Sequence, residues 1–82
     1  MNIFKEARER KGITQRELSQ KMNYATSQFV SNWERGISLP PVRSLKTLCS
    51  EIDLELNGVI EFILDKKIKH FKNEMLEELG EI

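Results

Sequence analysis

Between residues 27 and 35 lie Ser27, Gln28, Ser31, Asn32 and Arg35, spaced so that on a helix they fall opposite or beside Val30 and Trp33. The amides of Gln and Asn both donate and accept hydrogen bonds. They can therefore pair with the adenine edge in a DNA groove, a contact worth about 1–3 kcal/mol of discrimination. No other chemistry of comparable promise stands in the chain. Cys49 is its one cysteine and His70 its one histidine, which leaves no internal disulfide, no zinc-ligand set and no thiol with a partnered base. Cys49 among Leu45, Leu48 and Ile52 reads as a small buried hydrophobe, and His70 among lysines as a surface residue. With no convergent acid, base and nucleophile, the sequence points away from an enzyme, and it implies no cofactor and no metal.

Eighty-two residues make one small domain. At 39% hydrophobic and 32% charged, the composition is that of an ordinary globular chain. The longest apolar run, Phe62-Ile63-Leu64, is far short of the roughly 20 residues a membrane span needs, and the start of the chain lacks the apolar stretch of a signal peptide. A soluble, unexported, cytoplasmic protein is expected. The net charge of zero conceals a division. Residues 1–52 carry nine Lys and Arg against five Asp and Glu, a balance of +4, and residues 53–82 carry four against eight, a balance of −4. The first part is the one suited to face a polyanion.

The elements that must position these side chains are all helical. A first helix runs from about Asn2 to Lys11, with Ile3, Phe4 and Ala7 on one side, and stops at Gly12. A second opens on a capping box, Thr14 with Glu17, and a hydrophobic staple, Ile13 with Leu18, and buries Leu18 and Met22. Asn23-Tyr24-Ala25 breaks it, since Asn tolerates a left-handed backbone, and Thr26 or Ser27 caps a short third helix that ends at Gly36. Val30 and Trp33 form its inward side. After a loop, Pro41 sits at the first position of a fourth helix with the stripe Val42, Leu45, Leu48, Cys49 and Ile52.

The last helix starts between Glu55 and Asn57 and runs to about Leu79, some 35 Å at about 1.5 Å per residue. Its first turns, with Val59, Ile60, Phe62, Ile63 and Leu64, are apolar almost all round. Beyond them Leu64, Ile68, Phe71, Met75 and Leu79 form a single stripe. Such a stripe is the edge of an intramolecular contact or a subunit interface. Because four other helices already cover the core, the interface is the expected use.

A helix, a tight break and a short polar-faced helix make the pattern of a helix-turn-helix, whose second member enters the DNA major groove. The residues make the likeness specific. Ile13-Thr14-Gln15-Arg16-Glu17-Leu18-Ser19, then Val30-Ser31-Asn32-Trp33-Glu34-Arg35-Gly36, then Pro41 resemble the lambda-repressor-like helix-turn-helix family, of Cro and C-repressor or xenobiotic-response-element type, from Ile3 to about Ile60.

The resemblance implies an all-α, five-helix DNA-binding domain over residues 1–60; residues 61–82, with the stripe described above, are expected to be a helical extension for dimerisation. It implies that Gln15, at the start of the second helix, holds a phosphate. Ser27, Gln28 and Asn32 would read bases, with Thr26 and Ser31 near the DNA backbone and Arg35 and Arg43 on phosphates. It also implies that Arg8 pairs with Glu34 to tie the first helix to the end of the third. Two departures bear on the register: Asn23 stands where the family usually has Gly, and one extra residue lies between Leu18 and Glu34. Ser27 is therefore either a cap or a base reader. Phe29 either covers the edge of the core or touches a thymine methyl.

The function so implied is that of a homodimeric, sequence-specific transcriptional regulator, a repressor from a phage or bacterium that occupies an inverted-repeat operator. The alternative is an antitoxin-like or modulator protein whose main partner is another protein.

Overall fold

The computed structural model describes residues 2–81, and in these residues every regular element is helical. The helices are α1 (Ile3–Lys11), α2 (Gln15–Lys21), α3 (Gln28–Glu34), α4 (Leu45–Glu51) and α5 (Leu56–Glu78), with one turn of 3-10 helix, Val42–Ser44, leading into α4. None of them is long and apolar enough to cross a membrane.

Each helix begins and ends for a local reason. The Asn2 side chain accepts hydrogen bonds from the Phe4 and Lys5 amides, and Gly12 closes α1 at φ 75°, a left-handed position that costs glycine nothing. The capping box of α2 is complete. Thr14 Oγ1 accepts from the Glu17 amide, and Glu17 Oε1 accepts from the Thr14 amide, both at 3.0 Å. These bonds, the one from the Thr14 backbone foremost, hold the Glu17 carboxyl below its ordinary value of 4.5. Asn23 adopts φ 63° in the break after α2, the conformation for which Asn substitutes for Gly. The Glu55 carboxylate caps α5 by accepting from the Gly58 amide.

The core is built from Phe4, Ala7, Leu18, Val30, Trp33, Leu45, Leu48, Cys49, Ile52, Val59 and Ile63. Cys49 is buried, and burial pushes its thiol up. The Ser19 side chain is buried on α2 alongside Leu18, whereas Met22 is only partly covered.

Val42 is a correction to the expected α4 stripe, for it is 75% exposed. Pro41 stays extended at φ −65°, ψ 148°, and Val42 begins a 3-10 turn, so the helical spacing that places Leu45, Leu48 and Cys49 inward does not extend back to it. The last buried residue of α5 is Ile63. From Leu64 onward the helix runs out from the domain, and the chain measures 45 × 25 × 23 Å.

Candidate nucleic-acid interface

α3 is a seven-residue helix that turns Val30, Trp33 and Glu34 inward and leaves Gln28, Ser31, Asn32 and Arg35 on its outer side. Arg35 is its C-cap, and Gly36 follows at φ 74°, so the helix ends slightly before the expected stop. At its start the caps expected from the sequence can be compared with the backbone. Ser27 occupies the N-cap position without a side-chain capping bond, and Thr26 Oγ1 accepts from the Gln28 amide at 3.2 Å. The Ser27 hydroxyl is therefore not consumed by capping, and Gln28 is the first helical residue.

The outer side is internally ordered. Gln28 Nε2 donates to Asn32 Oδ1 at 2.9 Å, and an Arg35 guanidinium N–H donates to the same oxygen, also at 2.9 Å. Asn32 Oδ1 thus orients both its neighbours, one turn before it and one after. These two bonds narrow the rotamers available to the three side chains before any ligand arrives.

α3 is held by packing against both α1 and α2 and by side-chain hydrogen bonds from α1. Arg8 forms a two-pronged pair with Glu34, Nε to Oε2 at 2.6 Å and a terminal guanidinium nitrogen to Oε1 at 3.0 Å, and donates a further bond to the Ile13 carbonyl at 2.8 Å. The hydrogen bond to Glu34 raises the Arg8 pKa. Both side chains are shielded from water, at 11% and 2% exposure. The pairing implied by the family resemblance is thus present as a buried clasp. A second tie, Asn2 Nδ2 to the Trp33 carbonyl at 2.8 Å, has no local signal in the sequence because it joins residues far apart in the chain.

Gln15 lies at the first position of α2, where the helix terminus favours an anion. Its Nε2 donates to Glu34 Oε1 at 3.0 Å, so it also braces the clasp. Arg35 and Arg43 are separated. Arg35 borders a cleft with Lys66, Lys67 and His70 of α5, whereas Arg43 lines a polar depression with Lys21 and Asn23 beside the break that follows α2. Thr26 and Ser27 face a third depression, shared with Arg16 and Gln20 of α2. The cationic side chains Arg16, Arg35 and Arg43 are therefore distributed around α3 and not gathered at one end. Phe29 is 54% exposed and rests on Tyr24, with ring centroids 5.0 Å apart, while Tyr24 in turn meets Trp33 edge-on at 5.8 Å. It shields Tyr24 and stands outside the core.

Among the described residues no group of three His, Cys, Asp or Glu could hold a metal ion. A family model described as helix-turn-helix matches residues 4–59, a span that contains α1 to α4 and the first turn of α5. No curated protein and no solved structure matches the chain.

Proposed function

Since the chain belongs to the lambda-repressor-like helix-turn-helix family of DNA-binding transcriptional regulators, we propose that it is a sequence-specific repressor that binds an inverted-repeat operator as a homodimer. The observation that carries this reading is the outer side of α3: Gln28 and Asn32, two amides held in register by a shared hydrogen bond, above a helix anchored from below by Val30 and Trp33. In the major groove those amides would read base edges. Ser27 would assist at the start of the helix, Thr26 and Ser31 would approach the DNA backbone, and Gln15, Arg35 and Arg43 would hold phosphates.

The dimer is supported by the stripe Leu64, Ile68, Phe71, Met75 and Leu79, which is 45% to 75% exposed and lies on the part of α5 that extends beyond the core. One recognition helix reads too few base pairs for a useful operator, and two half-sites about 34 Å apart require two linked copies. Acting by occupancy, the protein would exclude other proteins from the operator in the cytoplasm of a bacterium or of a phage-infected cell.

Selection from a random duplex pool tests the reading. The recovered sequences are expected to form an inverted repeat, and affinity is expected to fall steeply with salt as counterions return to the DNA. Gln28→Ala and Asn32→Ala should each relax preference at particular base pairs by about 1–3 kcal/mol, whereas Arg35→Ala should weaken all sequences alike and lower the salt slope by about 1. Absence of duplex binding at any salt would overturn the proposal in favour of the antitoxin-like or modulator reading, in which α5 binds a different protein.

A further inference from the structure

Leu64, Ile68, Phe71 and Met75 follow the four-three-four spacing of heptad d and a positions, and they are 47%, 65%, 60% and 45% exposed. The flanking e positions are then Asp65 and Lys72, and the flanking g positions are Lys67 and Glu74. These four charges distinguish the two ways in which a pair of such helices can run. In a parallel pair, g faces the e position of the partner's next heptad, which sets Lys67 against Lys72 twice. In an antiparallel pair, e faces e and g faces g, so Asp65 meets Lys72 and Lys67 meets Glu74, each twice, and every contact is attractive.

The apolar residues select a register in the same orientation. When Ile68 of one copy lies opposite Phe71 of the other, Leu64 falls opposite Met75, and both layers are wholly apolar. The next layer outward sets Glu61 opposite Glu78, so the apolar contact is limited to these layers.

We infer that the surface along α5 takes a second copy of this chain in antiparallel orientation, with Leu64 against Met75 and Ile68 against Phe71. The inference rests on the homodimer reading above and adds its direction and register. In this register the first residues of the two α5 helices stand about 40 Å apart along the helix axis at about 1.5 Å per residue. That places one globular domain at each end of the pair, at a separation comparable to one turn of DNA, about 34 Å.

The test uses the full chain. Lys67→Glu with Lys72→Glu turns all four antiparallel contacts repulsive and should weaken dimerisation about tenfold or more at low salt. Adding Asp65→Lys and Glu74→Lys should restore it. In a parallel pair the first change replaces a Lys-Lys contact with a Glu-Glu contact, so neither variant would differ from the parent in sedimentation. Circular dichroism confirms that each variant remains helical.

Disulfide trapping gives a second measurement that does not depend on charge. On a Cys49→Ala background, Leu64→Cys and Met75→Cys together should yield a covalent dimer on oxidation, while neither alone should. Efficient trapping by either single cysteine, or charge variants that sediment like the parent, would overturn the antiparallel register and leave the dimer standing. A parent chain that sediments as a monomer would overturn both.

Discussion

Leu48 and Ile68 both belong to apolar stripes of helical spacing, yet Leu48 has 0% of its surface in water and Ile68 has 65%. The charged residues divide in the same way. Arg8 and Glu34 are almost fully shielded, whereas the Asp65–Lys69 pair on α5 leaves 58% and 69% of its side chains exposed. Helical spacing decides which residues share a face, and the rest of the chain decides whether that face is covered. The core stripes up to Ile63 are covered within the chain, and the stripe past it is not. The same residue types therefore contribute to folding in one region and are free for association in the other.

Breaking the clasp should produce the largest effect. Glu34→Ala leaves Arg8 buried without its partner and removes the acceptor of Gln15, and the expected loss is about 3–5 kcal/mol in denaturant unfolding. Lys69→Ala on the outer part of α5 should cost no more than about 0.5 kcal/mol. A loss at Glu34 as small as that at Lys69 would erase the distinction between the two regions.

The apolar counterpart comes next. Leu48→Ala should cost about 2–5 kcal/mol through lost transfer energy and the cavity left behind. Ile68→Ala, measured at a dilution where the chain is monomeric, should change stability by about 0.5 kcal/mol or less and yet weaken self-association. Equal losses at the two positions would mean that Ile68 is covered within its own chain.

The smallest effect sharpens the comparison at a helix start. Glu17 has a lowered folded-state pKa because it accepts from Thr14. The stabilisation it provides is therefore fully present above its ordinary value of 4.5 and disappears as pH falls through the lower folded value. Glu17→Gln keeps an acceptor that does not titrate. The difference in stability between the parent and this variant should be flat above the ordinary value of 4.5 and change as pH falls from there through the lower folded value, whereas Thr14→Ala should lower stability by about 1 kcal/mol at neutral pH.

Most of the frame was legible in the sequence because helix boundaries are chemically marked. Gly12, the Thr14–Glu17 box and Asn23 each carry out the local task their residue type suggests, and the core face of α2 to α4 follows from spacing, with Val42 the exception. Spacing failed at Val42 because a 3-10 turn advances its side chains by a different angle from an α-helix. It was equally silent about the Asn2–Trp33 tie and the second bond from Gln15, which join residues brought together only by packing. The positions of Gln28 and Asn32 on the outer side of α3 were legible because Val30 and Trp33 leave no other face for them. The distribution of Arg16, Arg35 and Arg43 around that helix was not, since it depends on where α2, α4 and α5 lie in space.

The part of α5 beyond Ile63 has a consequence for how the protein responds to its own abundance. Beyond Ile63 the helix continues from turns already docked on the core, so its nucleus is supplied, but no packing within the chain adds to it. Its helical form is therefore stabilised by whatever covers Leu64 to Leu79, by mass action. With the proposed second copy as that cover, pairing would add to the stability of the helix, and the paired species would rise with the square of the monomer concentration. On the proposed dimer reading, a helix that outruns its domain would convert a modest change in the amount of protein into a sharper change in operator occupancy.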